Sequence, residues 1–285
     1  MGCGYTGLRL LHLCRSLPRD ALATARSEEA VAGLRGDGFP AEVLDLDVTG
    51  GPLPEAWTQG KAVIYMAPPP ETGTADPRVR AFLQRLGAMP RTLVYLSTTG
   101  VYGDAGGAEV DEDTPPRPTS DRGRRRLDAE GLVLGWGDAS GVPVRLLRVP
   151  GIYGPGRLPL RQIRQGAPVA WDPEAGPGNR IHVDDLASVC LVAADYEGPE
   201  RVFNVGDGDH TSRSAYYREV ARQAGLPEPP EVSMEELLAQ ASPAMRGFLA
   251  ESRRVVTRRM RTVLGFQPRY EDMARGIAAS LEDGD

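Results

Sequence analysis

Residues 93–103 read LVYLSTTGVYG, an apolar run from Leu93 to Leu96 that passes into a hydroxyl-rich tip and closes on glycine. Such a run, short and cut off by glycine, reads as a buried strand. Runs of the same kind stand on both sides: DALATAR at 20–26, AEVLDLD at 41–47, KAVIYMAPPP at 61–70 and VPVRLLRVPGIYGPG at 142–156. Helical stretches separate them, at Leu8–Ser16, Ser27–Gly36, Pro77–Gly87 and Arg124–Trp136. Ser27, with Glu28 and Glu29 behind it, starts the second of these as an N-cap. Strands alternating with helices at this spacing predict an α/β fold, a doubly wound parallel sheet covered on both faces, with ligands at the strand C-termini.

Past Gly156 the alternation loosens, and the last stretch of chain is mainly helical, with Ser233 and Glu236 forming a capping box. We therefore expect a nucleotide-binding core over 1–156 and a smaller C-terminal lobe over 157–285 that returns some elements to the core.

The chain opens MGCGYTGLRLL, in which Gly2, Gly4 and Gly7 spell G-x-G-x-x-G. In dinucleotide-binding folds this turn follows a first β-strand, and here only Met1 precedes it. The first strand is thus expected to be missing or truncated. That predicts about six to ten apolar residues ahead of Met1; without them the two neighbouring strands would lack a shared partner. Alone, the glycine pattern is weak; its weight comes from what lies at the right distances. Nineteen residues after Gly7 stands Arg26, where an acid would accept the ribose hydroxyls of NAD and an arginine suits a 2′-phosphate. Arg26 is either that phosphate partner or a solvated side chain at a helix start. The three prolines after Ala67 are either a rigid turn or a loop under the pyrophosphate.

The 285 residues are 41% hydrophobic and 25% charged, which argues against disorder and fibres. A net charge of −6 gives no support to a nucleic-acid or membrane surface. No apolar run approaches the roughly 20 residues of a membrane span, and no signal peptide stands at the front. The three cysteines are scattered and the three histidines form no ligand cluster, so neither disulfides nor a metal are expected, and the location expected is the cytoplasm. Of 33 basic residues only Lys61 is lysine.

Six blocks taken together, GCGYTG at 2–7, DLD at 45–47, STTGVYG at 97–103, LRVPGIYGPGR at 147–157, NRIHVDDLA at 179–187 and FNVGDG at 203–208, resemble the extended short-chain dehydrogenase/reductase superfamily, the nucleotide-sugar epimerase and dehydratase group. The resemblance spans nearly the whole chain in order. It implies a Rossmann-type fold and a cofactor site of Gly2, Gly4, Gly7, Arg26, Asp45, Ala67, Pro150 and Gly151, with NADP favoured and NAD the alternative. It implies Thr98 as the hydroxyl that binds the substrate oxygen, and Tyr153, Arg157 and Arg180 as substrate-binding residues, the arginines suited to phosphates. His182, Asp184 and Asp185 are expected to brace the loop between core and lobe. Pairing into a homodimer through helices flanking the core is a further implication.

The chain departs from the family at the acid/base pair, a tyrosine and, four residues on, a lysine. Aligned on Glu130, Arg122 stands at the tyrosine and Arg126 at the lysine. Guanidinium does not deprotonate in proteins, so Arg126 supplies charge and a ribose hydrogen bond but no proton. Another donor, Tyr153 or water, would move it. Arg122 and Arg126 share one helical face, either anion-binding or solvated. This pattern resembles the atypical branch of the superfamily, and two readings stand: an NADP-dependent oxidoreductase or epimerase-like enzyme on a sugar-like or phosphate-bearing small molecule, or a cofactor-binding sensor without turnover.

Overall fold

A computed structural model describes residues 1–172 and 174–284. Its strands are β1 (Ala23–Ala25), β2 (Ala41–Val43), β3 (Ala62–Tyr65), β4 (Thr92–Thr98), β5 (Glu109–Val110), β6 (Val144–Val149), β7 (Gly151–Tyr153), β8 (Val169–Ala170), β9 (Arg180–His182), β10 (Val202–Asn204), β11 (Glu231–Val232) and β12 (Arg254–Val255). The α-helices are α1 (Tyr5–Ser16), α2 (Glu28–Gly36), α3 (Glu55–Thr58), α4 (Pro77–Gln84), α5 (Asp121–Ser140), α6 (Leu160–Arg164), α7 (Val183–Asp195), α8 (Arg213–Gln223), α9 (Met234–Gln240), α10 (Pro243–Leu249), α11 (Arg258–Thr262) and α12 (Met273–Glu282).

The central sheet is parallel in the order β10-β6-β4-β3, and β1 and β2 form a second parallel pair. All residues of β4 from Thr92 to Ser97 are buried because helices cover both faces of the sheet. Its side chains alternate accordingly: Leu93 and Tyr95 join Phe82 and Val133 on the side of α4 and α5, whereas Val94 and Leu96 join Val189 and Cys190 of α7.

Between β1 and β3 lies the place of the first strand, and Met1–Cys3 hold it. The Met1 amine donates to the Ile64 carbonyl at 2.8 Å, Met66 N–H donates to the Met1 carbonyl at 2.9 Å, and Cys3 N–H donates to the Thr24 carbonyl at 2.7 Å. The two neighbours therefore do share a partner, contrary to the expectation from the bare motif: three residues carry a hydrogen bond to each side. The strand is nonetheless so short that the sheet divides there into β1-β2 and the four-stranded part.

Helix α5 starts at Ser120, whose hydroxyl accepts from Gly123 N–H at 3.3 Å, and ends on Gly141 at φ +74°. A Cβ at Gly123 would stand 2.8 Å from the Gly100 carbonyl oxygen, so glycine there lets the first turn of α5 close on the β4 tip. Beyond the core, β7 pairs with β9, and Tyr153, Leu160, Tyr217, Val220 and Ile277 form a separate apolar cluster with α6, α8 and α12. Among the described residues no helix is long and apolar enough to cross a membrane.

Candidate active site

The glycine turn meets the tip of β3. Gly2 has φ +75°, and a Cβ on it would stand 2.6 Å from the Ala67 Cα and backbone nitrogen, so no other residue fits. Gly4 is the N-cap of α1 at φ −117°, and a Cβ there would meet nothing within 4 Å. The space in front of Gly4 is open, and the first-turn N–H groups of α1 border it, which is where a phosphate is bound without side-chain charge. Gly7 is buried inside the first turns of α1.

Arg26 follows β1 and is exposed; with Arg78 it flanks Asp47. The hydrogen bonds from Arg78, at 2.6 Å from Nε, lead the effects that hold the Asp47 carboxyl below the usual range, with the charge of Arg26 adding to them. Asp45 lies just past β2, and its carboxylate accepts from Asp47 N–H at 2.9 Å.

At the tip of β4 the Thr98 hydroxyl accepts from Gly100 N–H at 3.2 Å, capping a single 3₁₀ turn over Thr99–Tyr102. A hydroxyl that accepts in this way still has its own proton to give. Arg126 Nη1 donates to the Tyr95 hydroxyl at 2.9 Å and the Leu96 carbonyl at 3.0 Å, which fixes the guanidinium behind that tip. Tyr95 is buried; burial pushes its phenol up to about 12, against the pull of Arg126. Arg122, one turn earlier, has Arg126 and Glu251 as charged neighbours.

Behind Thr98 runs a buried chain of polar contacts that sequence reasoning missed. Ser97 donates to Glu130 at 2.5 Å, Arg148 holds Glu130 from Nε and Nη2 at 3.1 and 2.8 Å, Arg148 Nη1 donates to Tyr102 at 3.0 Å, and Tyr102 donates to Asn204 at 2.7 Å. The sequence marks Glu130 only as the residue that aligns the helix, and its partner Arg148 sits in the LRVPGIYGPGR block, where the expected roles fall on Pro150, Gly151, Tyr153 and Arg157.

A cavity of about 480 Å³ opens from Thr99 and Gly151 toward the lobe, reaching Asn179, Arg213, Glu251 and Arg253. None of the expected substrate residues, Thr98, Tyr153, Arg157 and Arg180, lines it. Arg157 is exposed and stacks on Tyr5 of α1 at 4.1 Å, beside the glycine turn, and Tyr5 in turn donates to the Pro155 carbonyl at 2.8 Å. Arg180 is buried, donates to the Thr211 carbonyl and lies 3.6 Å from Asp209. Tyr153 is buried in the lobe's apolar cluster between His182 and Tyr216, and burial drives its phenol well above the ordinary range. Pro150 borders Gly206, and Gly151 N–H donates to the Asn179 carbonyl at 3.3 Å. In the HVDDLA block, the His182 side chain caps α7 through Asp184 N–H at 3.2 Å and Asp185 accepts from Arg269 and Tyr270 N–H at 2.8 and 3.0 Å.

A parallel sheet with a glycine-capped helix at its switch point and a cleft over the strand tips defines a Rossmann-type protein. Residues 78–206 match the NAD dependent epimerase/dehydratase family, and the chain belongs to that family. It is similar over its full length to a conserved protein of unknown function from Silicibacter pomeroyi DSS, with 30% identity, a TM-score of 0.84 and coverage of 100% of this chain and 97% of that one. Protein YeeZ of Escherichia coli (strain K12) is 25% identical over 281 residues, 95% of each chain. The fold is also that of MoeE5 in complex with UDP-glucose and NAD, at 22% identity, a TM-score of 0.74 and coverage of 98% and 95%.

Proposed function

We propose that this chain is a nicotinamide-dependent oxidoreductase or epimerase-like enzyme of the atypical short-chain type, acting in the cytoplasm on a small-molecule alcohol or carbonyl and using NADP in preference to NAD. The observation that carries the reading is the open space at Gly4 on the α1 N-terminus, with the Thr98 hydroxyl and the head of the 480 Å³ cavity at the neighbouring strand tip. The residues fit a dinucleotide: Gly2, Gly4 and Gly7 shape the pyrophosphate turn, Asp45 and Ala67 border the adenosine, Pro150 and Gly151 border the nicotinamide, and Arg26 takes the 2′-phosphate. Arg157, stacked on Tyr5, adds a charge to the pyrophosphate side. A bound nicotinamide supplies or accepts hydride.

Within that site the Thr98 hydroxyl donates a hydrogen bond to the substrate oxygen and orients it. Arg126, braced on Tyr95 and Leu96, supplies positive charge behind the tip. Proton exchange at the oxygen falls to water, since Tyr153 is enclosed and guanidinium does not titrate. A phosphate-bearing substrate would draw on Arg157 and Arg180, and neither lines the cavity. The arginines at the positions of the tyrosine and lysine favour the second reading, a cofactor sensor without turnover. Following NADPH absorbance with a panel of small ketones, keto sugars included, tests the choice. Oxidation that falls at least about tenfold in Thr98→Ala supports the enzyme; cofactor binding with no oxidation across the panel supports the sensor.

A further inference from the structure

The wall of the cavity opposite Thr99 is made by two short helices with an unusual property. Helix α9 has no buried residue, yet its Met234, Leu237 and the following Ala241 are half-buried and turn toward the cavity, where Met245 and Leu249 of α10 join them. Across from them stand Ala167, Pro168, Val169 and Ala170. Apolar side chains that face a cavity from both walls gain by excluding water only when something apolar fills the space.

The charges in the lining balance, two acids against two arginines. Arg253 donates from Nη1 and Nη2 to one oxygen of Glu251, both at 2.9 Å, and reaches the Gly103 carbonyl as well. Glu174 accepts from Met234 N–H at 2.5 Å, and Arg213 donates to the Tyr217 hydroxyl at 3.0 Å and the Met245 sulfur at 2.9 Å. A nucleoside diphosphate would bring two negative phosphates into a space whose lining has no net positive charge, and burying unpaired charge is strongly unfavourable.

We infer that the substrate of this cavity is a ketone or secondary alcohol with an apolar body and no diphosphate, its oxygen at the Thr99 end, next to Thr98, and its body along α9 and α10. The inference rests on the oxidoreductase reading above. The test uses the full chain loaded with NADP+ and two probes, 4-phenyl-2-butanone and UDP-glucose, titrated calorimetrically. The expected result is a Kd for 4-phenyl-2-butanone at least tenfold below that for UDP-glucose. Leu237→Asp, and independently Met234→Asp, should weaken 4-phenyl-2-butanone at least tenfold while leaving the NADP+ Kd within twofold, which also shows that the variants fold. Tighter binding of UDP-glucose, binding of neither probe, or ketone binding indifferent to both variants overturns the inference. Failure of the chain to bind NADP+ or NAD+ at all would instead remove the oxidoreductase reading.

Discussion

The guanidinium of Arg126 donates to the hydroxyl of Tyr95 at 2.9 Å, from α5 to the middle of the buried strand β4. The contact fixes a positive charge behind the tip of β4. Arg126→Leu leaves the Tyr95 hydroxyl buried without its partner, so we expect a loss of about 1–3 kcal/mol in urea unfolding. If that charge also serves the cofactor, the NADP+ Kd rises about tenfold. Tyr95→Phe should lower stability by about 1 kcal/mol and leave NADP+ affinity largely intact. Equal loss of affinity in both variants would show that Arg126 acts only by bracing the strand.

The Glu130–Arg148 pair is almost fully buried and joins α5 to β6. Arg148→Met strands a carboxylate in the core, with an expected cost of about 3–5 kcal/mol. The double variant Arg148→Met with Glu130→Leu should recover much of that. Thermal unfolding of the three proteins checks the order, and a double variant as unstable as the single one would contradict it.

Asp207 is buried next to Tyr153 and Arg180, and its Oδ2 has no hydrogen-bond partner among the described residues. Burial pushes its carboxyl up to about 7. The folded protein then holds a proton that the unfolded chain, titrating near 3.8, gives up. The contribution of this group to stability therefore falls as pH rises from about 4 to about 7 and stays lost above. Asp207→Asn should raise Tm at pH 8 and change it little at pH 4. A variant that is equally stabilised or destabilised at both values would contradict the assignment.

The proposed preference for NADP rests on Arg26. Arg26→Asp should weaken NADP+ at least about tenfold and leave NAD+ unchanged or tighter, because a guanidinium fork matched to the 2′-phosphate is replaced by a repelling charge. An unchanged NADP+/NAD+ ratio removes the phosphate role.

The core of this fold was legible in the sequence because parallel strands buried on both faces must be short and continuously apolar. LVYLST is apolar up to its hydroxyl tip and lies in β4, and VRLLRV, which is β6, keeps four aliphatic residues around Arg145 and Arg148. The helix starts at Ser27 and Ser233 were legible for a local reason, since a cap is made within four residues. The position of Arg157 was not. Its contact with Tyr5 joins residues about 150 apart, and the GPGR block says nothing of which wall of the cleft it faces. Tyr153 stands in the sequence as an available phenol; an aromatic ring in β7 is equally suited to a core, and the lobe's helices enclose it. The wall of α9 and α10 was unreadable because its amphipathic faces meet a cavity instead of a neighbour.

The glycine turn separates folding from binding at two positions. Gly2→Ala meets the Ala67 backbone at a positive φ and should cost at least about 1–2 kcal/mol of stability. Gly4→Ala meets nothing in the protein and should leave Tm unchanged. Titrating the unaltered chain and Gly4→Ala with NADP+ and NAD+ is the most direct test of the central claim. The account predicts saturable binding by the first and a loss of at least about tenfold in the second, where a methyl fills the approach to the pyrophosphate. Absence of binding by the unaltered chain to both cofactors, or equal affinity in Gly4→Ala, would contradict it.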